Sequence, residues 1–133
     1  EEIIMTQTIH QEINFNVNSQ RLYDTLTNSA QFGEATGGAP TEISTEEGGS
    51  FSCFGGMIVG RNIELVPNKR IVQAWRAGNW DAGVYSIVKF EFNEKGQETQ
   101  LIFDHIGFPE GQGEHLEAGW HENYWKPLEK YFA

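Results

Sequence analysis

Residues 114–132 read EHLEAGWHENYWKPLEKYF, and their periodicity decides the architecture. Leu116, Trp120, Tyr124, Leu128 and Tyr131 recur at helical spacing and form one apolar stripe. At 1.5 Å per residue the helix is about 28 Å long. Glu114 and Glu117 near its start and Lys126 and Lys130 near its end suit the helix dipole. Pro127 falls inside the pattern, where its missing N–H is expected to kink or loosen the final turns. A stripe this wide must lie on something apolar, and an open sheet is the only candidate large enough.

The rest of the chain supplies that sheet. Residues 6–17 alternate with period two: Ile9, Ile13, Phe15 and Val17 share a face that Gln11 interrupts, opposite Thr8, His10, Glu12 and Asn14. Asn18 and Ser19 offer an N-cap to a short helix carrying Leu22, Tyr23 and Leu26, and a second short helix or turn is expected over 29–35. A meander follows. PTEIST at 40–45 predicts a strand, Glu46 to Gly49 a turn, SFSCF at 50–54 a strand, and Gly55-Gly56 a two-residue hairpin into 57–66. Pro67-Asn68-Lys69 turns the chain into RIVQAWR at 70–76, and 77–83 is a longer loop carrying Trp80. Val84, Ser86, Val88, Phe90 and Phe92 then alternate with Tyr85, Ile87, Lys89 and Glu91, and Leu101, Phe103 and His105 share a face of the last strand, 99–107. One strand, two short helices, a strand meander and one long helix predict an α+β two-layer fold in a single domain over 1–133.

Composition narrows the function. Nineteen Asp and Glu oppose nine Lys and Arg, a net charge of -10, which argues against nucleic acid and against anionic membrane surfaces. No apolar run is long enough to span a bilayer, and Glu1-Glu2 begins no secretory signal, so a cytoplasmic location is expected. The single cysteine, Cys53, sits in an apolar run with no basic neighbour and reads as a packed thiol. No phosphate loop, nucleophile elbow or zinc spacing is present; His115 and His121 lie on different helix faces, so no metal and no cofactor is expected.

The stretch EGGSFSCFGGMIVGRNIELVPNKRIVQAWRAGNWDAGVYSIVKFEF, 47–92, resembles the heat-shock protein 90 ATPase activator homologues, within the START-like (SRPBCC, helix-grip) superfamily. Gly48-Gly49 before Phe51, the Phe54-Gly55-Gly56 turn, Trp75-Arg76 and Trp80 carry the resemblance, and the final helix adds to it. It implies a curved antiparallel seven-stranded sheet wrapped around the long C-terminal helix, with two short helices after strand one. It also implies a groove between helix and sheet where superfamily relatives hold lipids, sterols or polyketides. The chain matches only the second domain of the eukaryotic co-chaperones, so a chaperone partner is the less direct implication.

Trp75, Phe103, Trp120 and Tyr124 are expected to project between sheet and helix, either filling a core or walling an apolar site. Trp80 is placed at the mouth as a candidate gate. His105, on the inward face, is a satisfied core histidine or an acid–base group; Glu117, within the stripe on the helical wheel, is a dipole partner or a polar handle in the pocket. Arg76 is a rim cation or one half of a surface ion pair. Trp125, opposite the stripe, is expected under the N-terminal helices or, exposed with Phe132, as a contact for a partner or second subunit of a homodimer. Binding of a small hydrophobic or amphipathic ligand is the function expected first. The alternatives are chaperone-associated ATPase stimulation and a cyclase or hydrolase chemistry using His105 or Glu117.

Overall fold

The alternating segments become seven antiparallel strands in the order β1-β7-β6-β5-β4-β3-β2. The computed structural model describes residues 7–133; Thr6, where the first strand is expected to begin, lies outside them. The strands are β1 Thr8–Phe15, β2 Glu42–Ile43, β3 Ser50–Cys53, β4 Ile58–Val66, β5 Arg70–Ala77, β6 Ser86–Lys95 and β7 Glu98–Ile106. The helices are α1 Ser19–Thr27, α2 Ser29–Ala35, α3 Gly113–Trp120 and α4 Lys126–Tyr131. Asn18 caps α1 by accepting from the Arg21 N–H, and Asn28 ends α1 and caps α2 by accepting from the Gln31 N–H.

Register stacks the inward side chains in rows. Ile9, His105, Val88, Gln73 and Asn62 face one another across five strands; Gln11, Phe103, Phe90 and Ile71 make the next row. The C-terminal helix lies across these rows and buries Leu116, Trp120, Tyr124 and Leu128 of the stripe, while Tyr131 is only half-buried. Gly60 stands where β4 must pass close to β5 and beneath Phe51. A Cβ there would lie 1.9 Å from the Ala74 carbonyl oxygen and 2.7 Å from the Phe51 ring.

Three expectations are corrected. The strand at 40–45 shrinks to Glu42–Ile43, because the Ser44 Oγ already accepts from the Glu46 N–H in the next turn. Gly55-Gly56 is not a two-residue hairpin. Cys53 pairs with Ile58 across four residues, of which Phe54, Gly55 and Gly56 take φ of 54°, 67° and 92°. That left-handed run throws the Phe54 ring inward onto Phe32 and Tyr124.

The third correction concerns the long helix. It is not α-helical throughout: His121–Trp125 form a π turn in which the Lys126 N–H reaches the His121 carbonyl. Pro127 follows directly, in the first turn of α4, so its missing N–H is absorbed at a change of helix type. Each π residue turns through a smaller angle than an α residue, and this swings Trp125 onto the sheet side. Trp125 is 1 % exposed, packs on Phe15, Phe90 and Phe103, and donates its Nε1–H to Gln11 Oε1 at 2.6 Å. Phe132 is buried too, so the contact surface expected from these two residues does not form.

Candidate functional site

Where β5 ends, the sheet and the helix part to leave a cleft of about 570 Å³. The Phe54–Met57 turn walls one side, the 77–80 loop a second, and α3 with the π turn a third. Four of the aromatic residues singled out from the sequence meet here: Trp75, Trp80, Trp120 and Tyr124. Trp75 lies 5.2 Å from Trp120 and 5.7 Å from Trp80 between ring centroids, and Trp120 lies 4.2 Å from Tyr124. Phe54, which periodicity alone did not mark, completes the ring set.

Arg76 fixes the loop. It donates to the Trp80 and Asp81 carbonyls and, at 3.1 Å, to the Val84 carbonyl, with its guanidinium over the Tyr85 ring. Among the described residues it is thus neither part of the cleft lining nor half of an ion pair. Trp80, half-buried against Trp75, is a held wall rather than a free gate.

Two predicted residues stand one layer beneath. Phe103 supports Trp120 at 4.3 Å. His105 is fully buried and saturated. Trp120 Nε1 can only donate, so His105 Nδ1 accepts from it at 3.0 Å. The neutral ring therefore carries its proton on Nε2 and donates to Ser86 Oγ at 2.8 Å, and the Ser86 O–H donates in turn to the Trp75 carbonyl at 2.8 Å. Burial pushes the His105 pKa down to about 3. This chain pins α3 to β7, β6 and β5 and leaves no proton to exchange with a ligand.

Glu117 is corrected. It is exposed, in a shallow depression beside His10, Gln11 and His121. Its wheel angle points towards the sheet, but the sheet stops there: β1 is an edge strand, and Gln11 Nε2 meets the Glu117 carbonyl at 3.2 Å. Neither His105 nor Glu117 is part of the cleft lining. Cys53 is buried and its thiol is pushed up to about 12, as suits a packed side chain.

Among the described residues the cleft is lined without a carboxylate, ammonium or guanidinium group, although the chain carries twenty-eight Asp, Glu, Lys and Arg. Its polar groups are the amides of Asn79, Gln112 and Asn123, the His115 ring and the Tyr124 hydroxyl. Nothing in the sequence marks those amides, because isolated Asn and Gln carry no periodicity; only the folded chain brings 79, 112 and 123 to one rim. No group of three or more His, Cys, Asp or Glu that could hold a metal occurs among the described residues, nor does a helix long and apolar enough to cross a membrane.

A curved sheet gripping a C-terminal helix, with an aromatic cleft where the two part, defines a helix-grip, START-like domain. The chain belongs to the family described as "Activator of Hsp90 ATPase homolog 1-like protein", which matches residues 16–133. It is similar to the "Activator of 90 kDa heat shock protein ATPase homolog" of Dictyostelium discoideum, 35% identical over 119 residues, covering 89% of this chain and 31% of that protein. Among solved structures it is similar to an HSP90 activator from Plasmodium falciparum, with TM-score 0.87, 26% identity and coverage of 93% of this chain and 94% of that one. It shares its fold with the Aha1 dimer from Colwellia psychrerythraea, with TM-score 0.79, 15% identity and coverage of 95% and 96%. The chain spans only 28–39% of the length of the curated relatives it matches.

Proposed function

We propose that this domain binds a small apolar or amphipathic molecule in the cleft between its sheet and C-terminal helix. The observation that carries the proposal is the convergence of five aromatic rings, from three separate elements and two loops, on one open cavity of about 570 Å³. A merely structural core would have closed it. Deeper between helix and sheet, around Phe32, Ile71, Phe90 and Tyr124, the remaining space is only about 10 Å³, so the packing directly beneath the cleft is tight.

A thermal-shift panel of sterols, fatty acids and aromatic polyketides tests the proposal. A ligand held at a hundredfold excess over its Kd stabilises the fold by about 2.7 kcal/mol, which raises Tm by roughly 10 °C in a domain this size. A panel in which no compound moves Tm overturns it.

The names of the relatives favour a second function, stimulation of a chaperone ATPase by a cytoplasmic domain of this type. The test is the Hsp90 ATPase rate with and without this protein. Stimulation together with a detectable complex is the expected result, and an unchanged rate with no complex overturns it. The two functions are separable, since the first needs no chaperone.

A further inference from the structure

We propose that the cleft selects uncharged ligands that combine a flat apolar body with a carbonyl or similar acceptor oxygen, and that it rejects carboxylates. This rests on the binding function proposed above and adds the chemical class of the ligand.

Two independent observations lead here. The first is the Tyr124 hydroxyl. The residue is 6 % exposed and lines the cleft. Its oxygen accepts from Trp75 Nε1 at 3.4 Å, and the hydroxyl hydrogen makes no hydrogen bond among the described residues. A buried O–H without an acceptor is costly, and a ligand oxygen entering the cleft would supply one. Burial also holds the Tyr124 pKa well above its ordinary value, so the group stays a donor throughout the physiological range.

The second is the missing counter-charge. A carboxylate placed among the Phe54, Trp75, Trp120 and Tyr124 rings would lose its hydration with no Lys or Arg in the lining to replace it. Arg76, the nearest candidate from the sequence, is occupied by three loop carbonyls. At the rim, the side-chain amides of Asn79, Gln112 and Asn123 form no hydrogen bonds among the described residues, and neutral amides suit a neutral polar group.

Three naphthalenes of nearly equal size test the selection: 2-acetylnaphthalene, 2-naphthoate and 2-ethylnaphthalene. Binding is read from the indole N–H resonances in ¹H–¹⁵N spectra. Trp75, Trp80 and Trp120 report on the cleft, and Trp125, bonded to Gln11 away from it, is the internal control. The ketone is expected to bind about tenfold more tightly than the carboxylate at pH 7 and to shift the first three indoles but not the fourth. Tyr124→Phe keeps the ring and is expected to weaken the ketone by about fivefold while leaving the hydrocarbon unchanged. Asn123→Lys, at an exposed position on the rim, is expected to raise carboxylate affinity several-fold. If naphthoate matches the ketone in the wild-type protein, or if Asn123→Lys leaves naphthoate unchanged, the selection is overturned while the binding function stands. If no probe shifts the cleft indoles, the selection is overturned, and if in addition no compound of the thermal-shift panel moves Tm, the binding function falls with it.

Discussion

Acidification from pH 7 to pH 4 is expected to remove about 3 kcal/mol of stability through His105 alone. The unfolded chain binds a proton at this side chain near the ordinary imidazole value of 6.5, whereas the folded chain resists it down to about 3. Above 6.5 neither state is protonated, and the full stability is present. Between 6.5 and 3 the unfolded state takes up the proton and the folded state does not, so stability falls as the pH falls. Both ring nitrogens are engaged, one accepting from Trp120 and one donating to Ser86, so protonation must break the Trp120 bond. Urea unfolding of the wild type and of His105→Gln at the two pH values isolates the effect. The variant starts less stable at pH 7, and the gap between the two proteins is expected to shrink by about 3 kcal/mol at pH 4. His10, whose pKa is raised by its hydrogen bonds to Asp104 and Glu12, and Glu64, whose pKa is lowered by Arg70, titrate in both proteins and cancel in the comparison. A gap independent of pH would show that His105 is reached by solvent in the folded state.

The inward face of the sheet was legible because strands have a period of two. Ile9, Phe15, Val88, Phe90, Leu101, Phe103 and His105 are buried where alternation places them, and Gln11, which breaks the pattern, is buried as well. Its interruption had a cause that alternation cannot express: Gln11 is the partner of the Trp125 indole and of the Glu117 carbonyl. The helix stripe was legible for the same reason, at 3.6 residues per turn. Its failure at Trp125 sits at the end of the π turn. A single wheel drawn through residues 114–132 assumes a constant angle per residue, and five residues at a smaller angle carry Trp125 inward. Pro127 was the one trace of this in the sequence, and it marked the place without giving the sense of the rotation.

The site divides along similar lines. Trp75 and Trp120 belong to a strand and an α-helix, and Tyr124 keeps to the stripe although it lies in the π turn, so periodicity aimed all three correctly between sheet and helix. Phe54, Asn79 and Gln112 come from turns, and Asn123 from the π turn, where side-chain direction depends on backbone angles that no periodicity reports. Glu117 failed for a different reason. Its direction was right, but a helical wheel has no knowledge of where the facing sheet ends.

Trp120 joins the core to the cleft, and its removal should therefore have the largest single effect. Its ring is 2 % exposed, stacks on Trp125 at an interplanar angle of 20°, and lies within 4.2–6.1 Å of Tyr124, Phe103, Trp75, His105 and Phe90 between centroids. Trp120→Ala is expected to cost about 5 kcal/mol, combining the lost burial and cavity with an orphaned acceptor on His105 Nδ1. Trp120→Phe separates the two contributions, since it retains an aromatic ring and loses the donor. It is expected to cost about 2 kcal/mol. Because Trp120 and His105 share a hydrogen bond, the double variant Trp120→Phe/His105→Gln is expected to be more stable than the sum of the single losses allows, by about 1 kcal/mol. Equilibrium unfolding of the four proteins measures this coupling directly. Strict additivity would mean that the hydrogen-bonded chain from Trp120 through His105 and Ser86 to the Trp75 carbonyl does not act as a unit. Trp120→Ala costing under 2 kcal/mol would mean that the helix is held chiefly by Trp125 and Leu128. On the second outcome the cleft would be walled by a residue the fold can spare. The structure argues the reverse: the same indole whose face lines the cleft has its N–H committed to the sheet below, so the shape of the site and the stability of the grip are set together.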